Sequence, residues 1–330
     1  MLRTRVWRTT GSTVGLRGRA IPTILDLIGN TPLLKLKSGI YAKPEYLNPS
    51  GSIKDRIAKF MIERAERRGE LRNGSTIIEA STGNTGIALC MAGAAKGYAV
   101  KIFSPEKVAS EERMRIMQAY GAEVNLVRVE DILDSGERSV HGARAEILPR
   151  IKCRELSQQD KRFWWARQFA NPDNVAAHRD TTGREILAQM GGRVDAFVAS
   201  VGTGGTLLGV AQALRKRLPR VKIYAVEPAG HPILTQGPEG LMAIPGITDG
   251  IMLDILEKKI VEEVITVKDG DAIDMTQRLA KEEGVFCGVS SGANVYASLQ
   301  VLSKTGASKR IVTVLPDNRD RYLYTQRYIT

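Results

Sequence analysis

A regular alternation of short apolar runs with longer helical segments constrains the fold of this chain most. In the first half, the apolar run "STIIEAS" leads into the helical segment "NTGIALCMAGAAKG". In the second half, "DAFVASV" leads into "TLLGVAQALRKR", and "RIVTVLP" supplies a last buried strand. Repeated strand–helix units with near-continuous apolar strands are typical of parallel sheets covered by helices. The sequence therefore predicts an α/β protein.

The stretch between the two halves, residues 128–169, is polar, charged and weakly periodic. Such a stretch is typical of a domain boundary or an inserted excursion. Two domains that face a cleft are therefore expected. Ligands of open α/β sheets bind outside the carboxyl ends of the strands, so the loops that leave the strands are the candidate sites.

Much of the net charge of +12 lies at the amino terminus. Residues 1–20 contain five arginines and no acidic residue, whereas the later helices mix both signs of charge. A nucleic-acid partner is therefore not indicated. Residues 1–20 are predicted to be a disordered leader, and their Arg- and Ser-rich, acid-poor composition leaves an organellar transit peptide open as the alternative.

Three cysteines and three histidines are scattered along the chain, without the close spacing of a zinc site or a small disulfide framework. No metal site is predicted, and a reducing, cytoplasmic compartment fits best. The longest apolar runs are too short to cross a bilayer, so no membrane span is expected. The scattered cysteines and histidines are Cys90, Cys153, Cys287, His141, His178 and His231.

The stretch "NPSGSIKDRIAKF", residues 48–60, places Lys54 between a Pro-, Ser- and Gly-rich turn and an amphipathic helix from about Asp55 to Gly69. The macrodipole at a helix amino terminus disfavours an ammonium group. An amine that loses its proton easily is suited to Schiff-base chemistry. A solvated surface charge is the alternative interpretation of Lys54.

The loop "EASTGNTGIA" leaves a strand and enters a helix after Asn84. The hydroxyls of Ser81, Thr82 and Thr85, together with free backbone N–H groups, are expected to point at one spot, which would suit an anion. The alternative is an ordinary N-capped helix with a tight turn at Gly83.

The loop "SVGTGGTLLG", residues 200–209, also joins a strand to a helix. Gly202, Gly204 and Gly205 let main-chain amides close around a phosphate without obstruction by Cβ atoms. The dinucleotide fingerprint would need glycine where Leu207 stands, and the lysine motif of a P-loop is not present in the sequence. A single bound phosphate is therefore the preferred interpretation.

A fourth loop, "CGVSSGAN" at residues 287–294, again presents hydroxyl groups at a helix start. Ser290 and Ser291 are its candidate polar anchors. Taken alone, this loop is an ordinary helix cap.

Taken in this order, the four loops resemble those of the cysteine synthase/cystathionine β-synthase family of pyridoxal phosphate enzymes, which have fold type II. The resemblance runs from "DLIGNTPLLKL" to "RYL" near Tyr322 and includes "QFANPDN" and "HRDTTG". It implies two domains, each a mostly parallel sheet flanked by helices. Residues 21–55 and 165–330 would form the larger, cofactor-binding domain, and residues 56–164 the smaller, mobile, substrate-binding domain. Relatives are usually homodimers.

The resemblance also implies a role for each candidate residue. Lys54 would form the internal aldimine with pyridoxal phosphate, and Asn84 would lie beside the phenolic oxygen of the cofactor. Ser290 would face the pyridine nitrogen. The cofactor phosphate would be held by Gly202, Thr203, Gly204, Gly205 and Thr206. The substrate carboxylate would be bound by Ser81, Thr82, Gly83, Asn84, Thr85 and Gln168.

The activity that the resemblance implies is that of a cysteine synthase, which replaces the β-substituent of O-acetylserine or O-phosphoserine with sulfide and forms L-cysteine through an aminoacrylate. In this scheme the incoming amino acid displaces Lys54, which then moves the α-proton as general base. Two alternatives stay open. One is a cystathionine β-synthase-like condensation of serine with homocysteine, and the other is a regulatory homologue without turnover.

The chain departs from the family pattern at three places. Ser81-Thr82 stands where most relatives have Thr-Ser, which preserves two hydroxyl groups. Thr248 stands where the family commonly has glycine, beside the substrate entrance, and its effect there is left open. The ending "PDNRDRYL" varies the usual serine- and glycine-containing version.

Overall fold

Two mostly parallel sheets organise the part of the chain that the computed structural model describes, which is residues 22–106, 110–128, 147–230, 234–235 and 260–323. The predicted leader and Thr248 lie outside the described residues. The strands are, in chain order, β1 Leu34–Lys35, β2 Tyr41–Pro44, β3 Thr76–Ala80, β4 Ala99–Pro105, β5 Glu123–Val127, β6 Phe163–Trp165, β7 Ala196–Ser200, β8 Lys222–Pro228, β9 Glu263–Val267 and β10 Ile311–Leu315.

The α-helices alternate with these strands, as the sequence pattern predicts. They are α1 Lys54–Arg68, α2 Asn84–Lys96, α3 Glu111–Ala119, α4 Ile147–Gln159, α5 Pro172–Ala177, α6 Gly183–Gln189, α7 Gly205–Arg217, α8 Asp269–Glu283 and α9 Val289–Thr305. Short 3₁₀ segments cover Ile24–Leu27, Glu45–Leu47 and Arg319–Tyr322, and a π-helical segment covers His178–Thr182.

The larger sheet has the strand order β1-β2-β10-β7-β8-β9. Within the described strands, β1 and β2 are antiparallel and the remaining neighbours in this sheet are parallel. The last of the described strands, β10, lies between β2 and β7 and is buried along its whole length. Because β2 and β10 are parallel and pair as far as Pro44 and Leu315, the chain leaves both strands at the same edge.

The smaller sheet has the order β5-β4-β3-β6, and all of its described neighbours are parallel. Helices α1 and α2 cover it, and Ile57, Met61, Ile77 and Ile87 share one buried core there. Ile57 and Met61 are four residues apart, which places both on one face of α1. This helix ends at Gly69, whose φ of 71° lies in the left-handed region that favours glycine.

Two further cores lie on opposite faces of the larger sheet. Phe197 and Val198 are consecutive residues of β7, yet Phe197 packs into one core and Val198 into the other. Val312 and Ile311 of β10 divide in the same way. Side chains of a strand alternate between its faces, so a central strand covered on both sides is apolar at most positions, and a polar residue such as Thr313 of β10 needs a hydrogen-bond partner there. This explains the continuous apolar runs in the sequence.

Part of the segment predicted to be a boundary or excursion is regular structure. Residues 147–165 contain α4 and β6, and Trp164 of β6 pairs with Ile77 of β3 in the smaller sheet. Cys153 of α4 is buried against this sheet. The polar sequence of 147–165 does not indicate these two elements, because α4 is partly exposed and β6, with three residues, is too short to show a clear period. The two domain ranges stay a prediction.

In the described part of the chain, none of the helices is both long and apolar enough to cross a membrane.

Candidate active site

The predicted site loops meet at the carboxyl ends of the two sheets. Hydrogen bonds join the loop after β3 to the segment after β10, and Pro316 of that segment joins the turn before α1. A further bond joins the segment after β10 to the start of α9. Residues far apart in the sequence therefore border one region, where the topology of parallel sheets places ligands.

Lys54 is the first residue of α1, at the position that the sequence predicts. The turn before it bends at Gly51, whose φ is 84° and whose N–H donates to Asn48 O at 2.7 Å. Ile53 N–H donates to Pro316 O at 2.8 Å, which ties the turn to the end of β10. Lys54 is half-buried. Burial lowers the pKa of its amine, while the negative charge of Asp317 acts in the opposite direction.

A buried ionic network fixes α1 behind Lys54. Arg56 donates from Nε to Glu45 Oε2 at 2.6 Å and from Nη1 to Glu185 Oε1 at 2.6 Å. Lys43 Nζ lies 2.8 Å from Glu185 Oε2. Burial alone would raise the pKa of Glu185, but Arg56 and Lys43 lower it to about 2. Two cations and two anions thus compensate one another, and the first turn of α1 has a rigid base.

Asp55 stabilises the same turn from the other side. Its carboxylate accepts hydrogen bonds from the backbone N–H and the hydroxyl of Ser50. Burial raises the pKa of Asp55 to about 6, although these hydrogen bonds oppose the shift. The Pro-, Ser- and Gly-rich turn therefore presents Lys54 from a backbone held at both ends.

The hydroxyls of the Ser81–Thr85 loop do not all point at one spot. Ser81 Oγ accepts from the N–H groups of Gly83, at 3.3 Å, and Gly86, at 3.0 Å, so it acts within the loop as a cap. Thr85 is buried and donates to Gln168 Oε1 at 2.6 Å. Thr82 is half-buried, and its carbonyl accepts from Arg113 at 3.5 Å. Sequence reasoning treated these hydroxyls as equivalent, whereas two of them bind the protein itself.

Gln168 lies beside this loop, as the resemblance implies. Its Nε2 donates to Ala80 O at 2.9 Å, and its backbone N–H donates to Glu79 Oε2 at 2.8 Å. Together with the bond from Thr85, these contacts fix the orientation of the amide. Arg167, just before it, has a φ of 56°, which is uncommon for a residue other than glycine and marks a sharp turn after β6.

Asn84 begins α2 and reaches across to the larger sheet. Its Nδ2 donates to Asp317 Oδ2 at 2.6 Å, and its Oδ1 accepts from Arg321 Nη1. Tyr322 OH donates to the same Asp317 oxygen at 2.6 Å. The Arg113 guanidinium lies over the Tyr322 ring, 5.1 Å from its centroid. Motif reasoning found Asn84 but neither its two partners, Asp317 and Arg321, nor the two residues that contact this pair, Tyr322 and Arg113.

The Gly202–Thr206 loop follows β7 and enters α7. Gly204, with a φ of 88°, is the N-cap of the helix, so the first N–H groups of α7 point out of the loop. A Cβ at Gly205 would overlap Asn174 Oδ1, whereas a Cβ at Gly202 would meet no protein atom within 4 Å. Asn174 Nδ2 also donates to Thr203 Oγ1 at 3.0 Å. The loop is packed on one side and open on the other.

His178, for which sequence reasoning gave no role, stands behind this loop. It is completely buried, with Nε2 3.2 Å from Thr206 Oγ1 and Nδ1 3.0 Å from Thr182 Oγ1. Burial first, and then the charges of Lys54 and Arg56, lower its pKa well below the ordinary value. The ring is therefore neutral and orients two threonine hydroxyls. The sequence feature that could have indicated this role is the position of His178 in "HRDTTG", four residues before Thr182.

Ser290 and Ser291 lie in the first turn of α9, because the helix begins at Val289. Neither hydroxyl has a side-chain hydrogen bond among the described residues, but Ser291 is fully buried, whereas Ser290 is half-buried. Its exposure favours Ser290 as the serine that meets a ligand. That Ser290 faces the pyridine nitrogen of the cofactor stays a prediction.

This arrangement fits pyridoxal phosphate. Lys54 is a half-buried residue whose amine has a lowered pKa, and the open side of Gly202 leaves room beside the helix amides of α7 for a phosphate. Asn84 and Ser290 supply an amide and a hydroxyl at the border of the same region. In the described residues, no group of three His, Cys, Asp or Glu side chains is placed to hold a metal ion.

Comparisons with known proteins give the same class. A family model described as "Pyridoxal-phosphate dependent enzyme" matches residues 24–317, and the chain belongs to this family. The chain is 41% identical over 318 residues to a cysteine synthase of Staphylococcus aureus strain N315, covering 94% of this chain and 98% of that protein. The predicted family, fold class and cofactor are therefore confirmed.

Solved structures extend the likeness to three dimensions. O-acetyl serine sulfhydrylase isoform 3 from Entamoeba histolytica has a TM-score of 0.81 and 40% identity, over 96% of this chain and 94% of that one. An O-acetylserine dependent cystathionine beta-synthase from Helicobacter pylori also has a TM-score of 0.81, with 33% identity over 94% of this chain and 99% of that one.

Proposed function

We propose that this protein is a cysteine synthase that uses pyridoxal phosphate to replace the β-substituent of an activated serine, O-acetylserine or O-phosphoserine, with sulfide. The observation that carries the proposal is the position of Lys54, a half-buried residue that lies where the loops of both sheets meet. Burial lowers the pKa of its amine. Support comes from the 41% identity to a cysteine synthase over nearly the whole chain.

In this proposal each loop of the site has one task. Lys54 holds the cofactor, and the Gly202–Thr206 loop binds its phosphate through the N–H groups at the start of α7. Asn84 and Ser290 orient the ring. When bound, pyridoxal phosphate supplies an electron sink for the carbanion at Cα of the amino acid.

Lys54 also moves the proton of the reaction. Once an amino acid has displaced it from the cofactor, its amine can accept the proton from Cα of the substrate. General-base catalysis requires a base that is unprotonated near the working pH, and burial lowers the pKa of Lys54 in that direction. The rigid turn from Gly51 to Asp55 keeps this amine within a short reach of the substrate.

The substrate carboxylate is assigned to the Ser81–Thr85 loop and Gln168. The Gln168 amide already donates to Ala80 O and accepts from Thr85. The amide nitrogen has a second N–H group, so Gln168 can donate to a carboxylate while it keeps both of these hydrogen bonds. Thr82, whose hydroxyl has no described partner, is free to bind directly.

A second candidate is a cystathionine β-synthase-like reaction with homocysteine. The observation that favours it is the structural likeness to the Helicobacter pylori enzyme, which is named as an O-acetylserine dependent cystathionine beta-synthase. The two reactions share the steps at Cα and differ in the sulfur nucleophile. Residues that select the nucleophile therefore decide between them.

A substrate panel tests both candidates. Purified protein is incubated with O-acetylserine, O-phosphoserine or serine, each with sulfide or homocysteine, and cysteine and cystathionine are quantified. Cysteine from an activated serine and sulfide is expected to form fastest. Faster formation of cystathionine would favour the second candidate, and no product from any pair would contradict both.

We also propose that the protein works as a homodimer in the cytoplasm, or in an organelle if residues 1–20 are a transit peptide. Light scattering on the purified protein measures the oligomer. A fusion of residues 1–20 to a fluorescent protein, imaged in cells, tests the transit-peptide alternative.

A further inference from the structure

Asp317 is a buried carboxylic acid in which one oxygen accepts two hydrogen bonds and the other accepts none. It follows β10 and is only 1% exposed. Its Oδ2 accepts from Asn84 Nδ2 and from Tyr322 OH, both at 2.6 Å. Its Oδ1 is buried and has no hydrogen-bond partner among the described residues. A buried acceptor without a donor destabilises a folded protein, so its retention calls for a reason.

The backbone around Asp317 places it beside the Lys54 turn. Ile53 N–H donates to Pro316 O at 2.8 Å, and Ser52 pairs with Asp317 as an isolated β-bridge. On the other side, Gly288 N–H donates to Asp317 O at 3.0 Å. A Cβ at Gly288 would overlap Asp317 Oδ1, so this position needs glycine. The carboxyl group therefore lies between the turn that carries Lys54 and the start of α9.

The groups around Asp317 favour its charged form, although burial raises its pKa. Hydrogen bonds from Tyr322 and Asn84 lower the pKa, and so do the charges of Arg321 and Arg113. Two other groups that face the carboxyl are neutral. Burial raises the pKa of Tyr322 well above the ordinary value and that of Cys287 to about 12.

Two titratable groups complete the surroundings of Lys54. His178 is neutral, because burial lowers its pKa, and it faces Lys54 from the π-helical segment. Asp55 accepts a hydrogen bond from Ser50, and the charges of both Asp317 and Asp55 act on Arg321. Asp317 is the acid whose charge raises the pKa of the Lys54 amine against the effect of burial, and in this structure the two side chains are not yet in hydrogen-bond contact.

We propose that Asp317 is a positioning residue for Lys54. The unpaired Oδ1 of Asp317 accepts a hydrogen bond from the Lys54 amine when that amine carries a proton, while Oδ2 of Asp317 holds Asn84 at the ring. One carboxyl group would thus join the base to the amide that orients the cofactor. The unpaired oxygen gains its donor during turnover, when Lys54 leaves the cofactor and takes the proton from Cα. The inference rests on the proposed function only through the attachment of the cofactor to Lys54.

The test follows the proton on the Lys54 nitrogen in the holoenzyme. That nitrogen is attached to the chromophore, so titration of the visible absorption against pH gives the midpoint at which its proton is lost. A carboxylate close to a nitrogen base raises the pKa of that base by about 1–3 units. Asp317→Asn keeps the size of the side chain and removes its charge. We expect the midpoint to fall by at least about one pH unit.

Two matched variants separate charge from structure. Asp317→Glu keeps the negative charge and is expected to bring the midpoint most of the way back to that of the parent. Glu227→Gln makes the same acid-to-amide change at a buried residue that binds Leu234 N–H and Thr235 and does not act on Lys54. It is expected to leave the midpoint unchanged. The acid limb of the pH profile of kcat is expected to move with the absorption midpoint.

Each result decides one question. A midpoint in Asp317→Asn equal to that of the parent overturns the inference, and so does an equal shift in Glu227→Gln. If Asp317→Asn does not fold, Asp317→Ser removes the charge with a smaller side chain, and the same shift is required of it. A parent protein without cofactor absorption would contradict the proposed function itself, whereas an unshifted variant with intact absorption contradicts only the role of Asp317.

Discussion

The Gly202–Thr206 loop and the Ser81–Thr85 loop look alike in sequence and differ in structure. Both follow a parallel strand, enter a helix and contain glycine and threonine. The Gly202–Thr206 loop is packed from behind by Asn174 and His178, and its front is open. The Ser81–Thr85 loop instead uses two of its hydroxyls within the protein.

The difference indicates two ways of binding a ligand. A loop whose N–H groups are free and whose side chains are fixed from behind is preformed, so a phosphate can enter without rearrangement. In the other loop two hydroxyls already bind the protein, so fewer groups are free for a ligand, and exchange of these hydrogen bonds gives the loop a way to respond when a ligand arrives. We infer that the larger sheet holds the cofactor in a rigid loop and that the smaller sheet responds to the substrate.

Lys54→Ala gives the largest expected effect and tests whether the Gly202–Thr206 loop binds the cofactor by itself. Turnover is expected to be abolished, because the amine that holds the cofactor and moves the proton is removed. The cofactor is still expected to dock, which titration with pyridoxal phosphate and fluorescence would measure. In the parent, borohydride should fix cofactor mass to Lys54. Near-normal turnover in the variant would exclude Lys54 from the mechanism.

Two glycine variants examine the front and back of the same loop. Gly205→Ala is expected to destabilise the protein by about 1–3 kcal/mol, because its Cβ would overlap Asn174. Gly202→Ala is expected to leave the free energy of unfolding nearly unchanged, because its Cβ meets no protein atom within 4 Å. It is nevertheless expected to weaken cofactor binding. Urea unfolding and cofactor titration measure the two effects.

The opposite pattern would remove the distinction between a packed back and an open front. Loss of stability in Gly202→Ala, with tight cofactor binding retained in Gly205→Ala, is the result that contradicts it. Gly192→Ala is not a suitable control, since Gly192 has a φ of 70°. Gly230, with no positive φ and no atom of the described residues within 4 Å of its Cβ, is the matched control position.

The buried His178, which contacts the same loop, predicts that the stability of the protein depends on pH. Its folded-state pKa lies below the ordinary 6.5 because of burial. As the pH falls below about 6.5, the unfolded chain gains a proton at this residue before the folded protein does. The stability that neutral His178 contributes is therefore fully present above about 6.5 and is lost at lower pH.

The measurement is the free energy of unfolding between pH 7 and pH 5, from urea titrations of the parent and of His178→Asn. The parent is expected to lose more stability than the variant over this range, because the variant has no group to protonate. Equal losses in the two proteins would show that His178 does not titrate as its burial implies.

Local patterns in the sequence predict the elements of the fold well. Apolar runs found most of the strands because central parallel strands are buried on both faces, and the turn before Lys54 found the start of α1. Two strands were missed, the partly exposed edge strand β9 and the short strand β6, whose three residues carry no readable period. The place of β6 in the smaller sheet depends on pairing with β3, which is distant in sequence.

The contacts that complete the site could not be predicted from local patterns. Asn84 and Asp317 are 233 residues apart, and Thr85 and Gln168 are 83 residues apart. A motif indicates that a hydroxyl or amide is present, but the partner depends on how the two sheets meet. The resemblance supplied Lys54 and Asn84 as candidates, and the structure was needed to find Asp317 and His178 beside them.

Thr85→Val is expected to have the smallest effect and tests the comparison most directly. The variant keeps the shape of the side chain and removes the hydrogen bond to Gln168, which is worth about 0.5–1.5 kcal/mol. Without that bond the amide of Gln168 is less well oriented for the substrate carboxylate. The KM for the amino-acid substrate is therefore expected to rise about two- to tenfold, with the Kd for the cofactor unchanged.

Thr206→Val is the matched variant in the other loop, because it removes the contact with His178 at 3.2 Å and also keeps its shape. It is expected to raise the Kd for the cofactor by a similar factor and to leave the KM for the amino acid unchanged once the cofactor is saturating. Steady-state kinetics and cofactor titration on both proteins give the four constants. If both variants change the same constant, the two loops do not divide cofactor and substrate between them, and the assignment of a rigid loop to one sheet and a responsive loop to the other is wrong.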